Sequence, residues 1–351
     1  MNRHASRRHP GLLASAPLLA VLTVPAPLSA QQTVSGGPGN DYQADVAIPW
    51  DAPDSRIVVF ERLDGALSGD LYVTRSSDGG ATWTTPALAI GTAANERHPA
   101  LVQTGAQAWA LFHLAGTGAS SSFRIHRATS TDGTVFTAQG AVDLGWPTGG
   151  EVNPHVIRHP DGTLVMTYQR LSGAAHLAQS TDGGATWDTL RTQVSPGNAA
   201  LPRIAFRPDD GTWLLVYQTG SNPVSGWIRT SSDPLDWSAP ARPLLPAGNN
   251  HDGFPMVLSD GSFALLWAQV VGNAFQVFSI RSRDGIAWEP AIQVSDRPGL
   301  FNVQPHALRG PDPGTAEIYW GAAQSPPSGN FDIVREAAVL LAPAIFADGF
   351  D

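Results

Sequence analysis

An eight-residue turn signature constrains this chain more than any other feature. Ser76-Ser77-Asp78-Gly79-Gly80-Ala81-Thr82-Trp83 returns almost verbatim as Ser180-Thr181-Asp182-Gly183-Gly184-Ala185-Thr186-Trp187. Shorter forms run from Ser231 through Asp233 to Trp237 and from Ser282 through Asp284 to Trp288. A degenerate copy runs from Ser130 through Asp132 and Gly133 to Phe136. The five aspartates stand at 78, 132, 182, 233 and 284, so the intervals are 54, 50, 51 and 51 residues. A regular period of roughly 40 to 50 residues marks a propeller or a solenoid.

The chemistry of the signature is local. Asp followed by Gly makes a tight turn, in which the carboxylate accepts backbone N–H groups and Gly takes positive φ. The aromatic residue that follows is placed to pack under the hairpin and staple it to the blade core. Strand-like runs such as Leu71-Tyr72-Val73-Thr74 and Gln276-Val277-Phe278-Ser279 precede the signatures. Before those come apolar runs that end in an aromatic, among them Ile57 to Phe60, Val165 to Tyr168 and Leu214 to Tyr217. A last unit, Val303 to about Val339, keeps the strands Glu317-Ile318-Tyr319-Trp320 and Phe331-Asp332-Ile333-Val334 but has no signature. The pattern predicts an all-β fold, a six-bladed β-propeller of four-stranded antiparallel blades over residues 41 to 340. Closure leaves few open strand edges, so a monomer is expected.

Composition removes several alternatives. The 351 residues include 36 Gly, 29 Pro and no Cys, and all 21 basic residues are Arg. Disulfides, thiolate metal sites, a Cys nucleophile and Lys Schiff-base chemistry are therefore excluded. Arg3, Arg7 and Arg8, the apolar run Gly11 to Leu22 and Leu28-Ser29-Ala30 read as a secretory signal over residues 1–30. The expected organisation is that signal, a propeller over 31–340 and a tail over 341–351, in a chain exported to the periplasm, the cell surface or the medium. Loss of three Arg and no acids with the signal takes the formal charge from −9 to −12. So acidic a surface excludes nucleic acid as the main partner. After the N-terminus no apolar run is long enough to span a membrane.

The innermost strand of each propeller blade enters at one mouth of the central channel. Aligned on a shared Pro, the entries are Asn95-Glu96-Arg97-His98-Pro99, Glu151-Val152-Asn153-Pro154-His155, Leu201-Pro202-Arg203, His251-Asp252-Gly253-Phe254-Pro255 and Asn302-Val303-Gln304-Pro305-His306. Blade one supplies Asp41-Tyr42-Gln43-Ala44-Asp45, without the Pro. An acid or amide recurs three places before the Pro position, at Asp41, Glu96, Glu151, Asp252 and Asn302, while Asp45, His155, Arg203 and His306 follow it. Carboxylate, imidazole and guanidinium meeting at one mouth point to a ligand site. The bland alternative is a set of polar groups that satisfy one another and trapped water. The candidate ligand-binding residues are Glu96, Arg97, His98, Glu151, Asn153, His155, Arg203, His251, Asp252, Gln304 and His306.

Repeats of Ser-x-Asp-Gly-Gly-x-Thr-Trp at this spacing resemble those of the sialidase (neuraminidase) superfamily, the BNR or Asp-box proteins, over nearly the whole mature chain. The resemblance implies a sialidase-like propeller and a carbohydrate as partner. It also implies an Arg triad on the substrate carboxylate, a Tyr nucleophile activated by a Glu and an Asp general acid/base. The stretch from Phe60-Glu61-Arg62 to Asp70-Leu71-Tyr72-Val73-Thr74-Arg75-Ser76 is similar to the family's run into its first box, which puts the acid at Asp64 or Asp70. Tyr319 falls late enough for the nucleophile, and Arg203, with Arg97 or Arg309, for the clamp. One anchor is missing: the family's Arg-Ile-Pro is Ala47-Ile48-Pro49 here, with no Arg between Arg8 and Arg56. The tail Ile345 to Asp351 resembles a short terminal motif of exported Gram-negative proteins, and reads equally as a frayed end.

The resemblance therefore implies a sialidase-like glycosidase site that is incomplete. A non-catalytic glycan binder is the first alternative, with Tyr42, Trp50, Trp146, Phe254 and Phe301 available to stack on sugars. A polysaccharide lyase is the second, with His98, His155, His251 or His306 as base and Arg203 on the uronate. No His-x-x-x-His spacing points to a metal, and no cofactor is expected.

Overall fold

The computed structural model describes residues 31–63, 68–171, 173–244, 248–295, 301–323 and 330–340. The expected signal, the tail and Asp64 lie outside them. The described residues form six four-stranded antiparallel sheets, as the repeat predicts. Blade one consists of Asn40–Ala47, Arg56–Leu63, Gly69–Ser76 and Ala87–Ile90, in that order from the axis outward. Inner strands Asn95–Gly105, Glu151–Arg158, Ala199–Arg207, Asn250–Val257 and Phe301–Arg309 open the other blades. Each inner strand touches the next all the way round, so their openings meet on one axis. Among the described residues no helix is long and apolar enough to cross a membrane.

Ring closure uses a segment that the repeat alone does not reveal. The outermost strand of blade six is Gln32–Thr33, which pairs antiparallel with Asp332–Leu340. The Val34 N–H donates to Ile333 O at 2.8 Å, and the Ile333 N–H donates to Ser35 Oγ at 2.8 Å. Both ends of the propeller thus share one sheet, and neither can peel away without breaking ladder bonds.

The apolar core lies between blades. Six clusters form, each built from two adjacent blades; one contains Phe112, Tyr168, Met166 and Trp187 from blades two and three. The turn signatures serve these layers. Asp182 Oδ1 accepts the Thr186 N–H at 2.9 Å, and Oδ2 accepts the Thr186 hydroxyl at 2.6 Å. Ser180 Oγ donates to Asp182 at 2.8 Å and accepts the Gly184 N–H at 2.9 Å. Gly184 has a φ of +83°, and a Cβ there would come within 2.4 Å of the Phe112 ring, so only Gly fits. The box Trp packs on the preceding blade: Trp187 meets Phe112 edge-on at 5.4 Å, and Trp83 meets Tyr319 edge-on at 6.2 Å. The signature therefore staples blade to blade, where the sequence pointed to its own blade core.

That geometry gives Tyr319 a structural place. Phe112 pairs with Ala100, the second residue beyond the strand opening motif's His98, and Tyr319 pairs with His306 at the same point of blade six. Tyr319 is 0% exposed, and its hydroxyl donates to Glu317. Glu317 also accepts from Arg335 at 2.7 Å and from Arg56 at 3.1 Å. Arg335 continues to the carbonyl of Gly79 at 2.6 Å and that of Gly80 at 3.3 Å, tying blade six to the first box. Burial pushes the Glu317 carboxyl up, but the bonds from Arg335 and Tyr319 and the two guanidinium charges outweigh it and hold the pKa below the ordinary value.

Two outcomes are expected from this architecture. Arg335→Ala removes the bridge between Glu317 and the first box and strips a buried carboxylate of one partner, which costs about 3 kcal/mol in a denaturant titration. Acid weakens the boxes. Hydrogen bonds from the Thr82 hydroxyl and N–H hold Asp78 at about 2, and those of Thr186 hold Asp182 at about 2. At Asp132 burial opposes the shift, but the N–H groups of Val135 and Thr134 bring it to about 2. These folded values lie below the unfolded one of about 4, so the stabilisation is complete above that pH and is lost as pH falls through about 2. The denaturation midpoint is expected to drop over that interval, and Asp182→Asn to flatten the dependence.

Candidate functional site

A departure from regular β geometry builds the mouth of the channel. Near its opening every inner strand slips register: between Tyr42 and Asp45, Arg97 and Ala100, Val152 and His155, Ala200 and Arg203, His251 and Phe254, and Val303 and His306. At each slip one residue has φ between +45° and +57°: Gln43, His98, Asn153, Leu201, Asp252 and Gln304. Such bulges re-aim side chains, and non-glycine residues with φ in this range are uncommon.

Acceptors from neighbouring blades hold the bulges. Glu61 accepts the His98 N–H at 3.0 Å, Gln218 accepts that of Asp252 at 2.9 Å, and Gln304 accepts that of Gln43 at 3.1 Å. Asn153 is fixed by its amide, which donates to Gln169 at 2.6 Å. Sequence reasoning missed Glu61, Gln169 and Gln218 as supports, because they lie on second strands at no shared motif. It also misaligned blade five. Pro255 is not the counterpart of Pro99; Gly253 is, since the bulge falls at Asp252. The acid-or-amide column is thus completed by Asn250, and Asp252 joins His98 and Asn153 instead.

Past the bulges, Asp45, His155, Arg203 and His306 line an axial cavity together with Gln43, His98 and Asn153. Its free space is about 20 Å³, room for about one water. His306 Nε2 lies 2.6 Å from Asp45 Oδ1. Asp45 also accepts the N–H groups of Val46 and Leu101, each at 2.7 Å. Burial raises the Asp45 pKa, but His306 and the Leu101 N–H reverse that and keep it low, so the carboxylate is ionised. Burial brings His155 to about 3 and His98 to about 4, so both imidazoles are neutral near pH 7. The Ile204 N–H donates to His155 Nδ1 at 3.2 Å, so the ring proton sits on Nε2 and His155 keeps one donor to offer. Arg203 donates to Pro305 O at 3.2 Å, and its guanidinium lies 5.5 Å from the Phe254 ring centroid. The cavity can therefore receive one oxygen atom from donors on two sides.

The remaining candidates stand elsewhere. Glu96 and Glu151 are buried away from the cavity; Glu151 is paired with Arg170 at 2.8 Å. Arg97 is paired with Glu61 at 3.0 Å, and Arg309 donates to Val257 O at 2.8 Å near the far end of its strand. His251 lies 2.9 Å from Asn249 Oδ1. Asp252 and Gln304 sit in the bulge ring above the cavity: burial raises the Asp252 pKa, and Arg203 and the Gln304 N–H oppose it. Asp70 lies by Glu96 at the junction of blades one and two. Among the described residues no group of three or more His, Cys, Asp and Glu is placed to hold a metal ion.

Residues 28–242 match the family model described as a BNR repeat-like domain. No curated protein matches the chain by sequence. Among solved structures, a protein of unknown function from Dyadobacter fermentans superposes with a TM-score of 0.68 at 14% identity, covering 88% of this chain and 98% of that one. The NanB sialidase of Streptococcus pneumoniae gives 0.65 at 11% identity, covering 89% of this chain and 70% of the sialidase. The Trypanosoma rangeli sialidase gives 0.61 at 10% identity; the match covers 85% of this chain and 55% of the sialidase. At these identities the likeness is one of fold. With six blades closed on one axis, boxes between them and the family model matched over more than half its length, the chain belongs to the BNR repeat-like family and has a sialidase-like six-bladed propeller.

Proposed function

We propose that this protein is an exported carbohydrate-binding propeller that engages a glycan across its axial mouth and does not hydrolyse sialosides. The observation that carries the reading is the contrast between Arg203 and Tyr319. Arg203 is the single guanidinium among the residues that line the cavity, whereas Tyr319 is sealed in the core with Glu317. A carboxylate clamp of three Arg needs two more, and Arg97 and Arg309 are spent on other acceptors. The sialidases among the structural neighbours support a carbohydrate ligand, and the N-terminal sequence that reads as a secretory signal supports export.

In this reading a sugar lies over the bulge ring and sends one oxygen, from a carboxylate or a hydroxyl, into the water-sized cavity. Arg203 and the His155 Nε2–H meet it there. The same geometry disfavours the lyase alternative at His155, because a neutral ring with its proton on Nε2 and its Nδ1 occupied offers no lone pair to abstract a proton.

A glycan array scored for both retention and released product tests the proposal. Retention without product is expected, and Arg203→Ala should weaken it about 10- to 100-fold, the worth of a hydrogen bond to a charged group. Release of 4-methylumbelliferone from its sialoside, or an array on which Arg203→Ala weakens retention on no glycan, overturns it.

A further inference from the structure

Outside the axis, a cleft with an aromatic wall opens between blades three and four. It measures about 600 Å³, and its walls include Tyr217, Trp227, Asn198, Gln193 and Thr219. Tyr217 and Trp227 are directly paired across their strands, as Tyr168 and His176 are in blade three. In blade three that pair is covered from within the protein. Trp146, carried by the connection between Thr137–Ala141 and Glu151–Arg158, meets His176 edge-on at 5.1 Å, and its Nε1–H donates to the Tyr168 hydroxyl at 3.0 Å. In blade four the connection counted from the same register point is Val194-Ser195-Pro196-Gly197-Asn198, since Gln193 pairs with His176 as Ala141 pairs with His126. That stretch is four residues shorter and holds no aromatic side chain, so it puts no ring over Tyr217 and Trp227, and a cleft stands there.

The Tyr217 hydroxyl registers the difference. In the equivalent row of second strands, His113 Nδ1 lies 3.3 Å from Leu114 O, and the Tyr168 hydroxyl accepts from Trp146. Trp267 Nε1 donates to Gln269 and Trp320 Nε1 to Asn302. Tyr217 is 2% exposed overall and lines the cleft, and no hydrogen bond to its hydroxyl is seen among the described residues. A buried Tyr normally finds one. Trp227 is half-buried, with its ring fixed by a 2.8 Å bond from Nε1 to Thr219 Oγ1. The exposed side chains of Asn198 and Gln193 stand at the rim. Arg229, the cation in the cleft, is committed to Ala239 O and Val194 O.

We infer that this cleft is a second binding site, and that it takes a neutral pyranose. The apolar C–H face of the sugar lies against Trp227, one ring hydroxyl bonds the Tyr217 hydroxyl in the place that the Trp146 N–H fills next door, and the rim amides take others. An aryl ring fits the wall equally well but makes no use of the Asn198 amide or the Tyr217 hydroxyl, and an acidic sugar finds the Arg229 N–H groups turned to Ala239 O and Val194 O instead of towards it. The inference does not depend on the axial proposal.

Titration of the ¹⁵N-labelled protein with the methyl pyranosides of glucose, galactose and mannose, followed through the Trp227 indole N–H resonance, is the test. At least one glycoside should shift it. Tyr217→Phe should weaken that glycoside about fivefold, the worth of one hydrogen bond, without moving the thermal unfolding midpoint, because the lost hydroxyl has no partner among the described residues. Trp227→Ala should abolish binding, read from the Asn198 side-chain amide because the indole probe is gone, and Arg203→Ala should leave it unchanged, which separates this site from the axial one. The inference is overturned if no glycoside shifts the resonance, if Tyr217→Phe binds as tightly as the parent, or if free indole shifts it and the glycosides do not.

Discussion

Six inner strands can share one axis only if each gives up regular pairing near its entrance. The slip costs a residue in left-handed backbone space, of order 1 to 3 kcal/mol for a non-glycine side chain. The protein accepts this six times, at Gln43, His98, Asn153, Leu201, Asp252 and Gln304, out of eight such non-glycine residues among those described. Three of them are held by cross-blade bonds: Glu61 on the His98 N–H, Gln218 on that of Asp252, Gln304 on that of Gln43. Because those acceptors belong to adjacent blades, the mouth has its shape only when the ring is closed. Pairing of Gln32–Thr33 with Asp332–Leu340 is thus a condition of the site as well as of the fold.

The two ends of the propeller divide the physical tasks. In each meander the third strand runs parallel to the first, so the boxes fall at the end away from the mouth. There, exposed carboxylates hold turns and Trp83 and Trp187 lock one blade to the next. The buried ion cluster of Glu317, Arg335 and Arg56 stands at the same end, where the last blade meets the first. With adhesion concentrated there, polar and strained groups at the mouth need not hold the blades together.

The fold was legible because its determinants are local: a box needs Asp, Gly and an aromatic at fixed offsets, and five copies survive in the sequence. The gathering of His98, Asn153, His155, Arg203 and His306 at one mouth was legible for a related reason, since a Pro follows most bulges and served as a register mark. Where the mark failed, so did the reading. Blade five has Gly253 in that place, so Asp252 was put with Glu96 and Glu151, acids that face the interior. Tyr319 was misleading in another way. A Tyr late in the chain matches a family pattern by order, but order does not say on which side of a strand the ring emerges, and here it emerges beneath Trp83. Closure by Gln32–Thr33 left no trace, because two residues of strand carry no period.

Differences among equivalent positions, more than the positions themselves, separate structure from function in a repeat fold. At the axis all six blades bulge, but only Arg203 brings a permanent cation, and the donors face a cavity of about 20 Å³. That space discriminates single oxygen atoms and cannot admit a ring. At the flank of blade four the reverse holds: about 600 Å³ of cleft, an aromatic wall and a cation already spent. The difference between blades three and four comes down to connection length. Nine residues, 142–150, bring Trp146 back over its Tyr, and the five equivalent ones, 194–198, carry no ring. A shortened connection in an otherwise faithful repeat leaves a ring-shaped space beside a hydroxyl whose counterpart in the next blade is satisfied, and a ligand ring is the part that restores the symmetry.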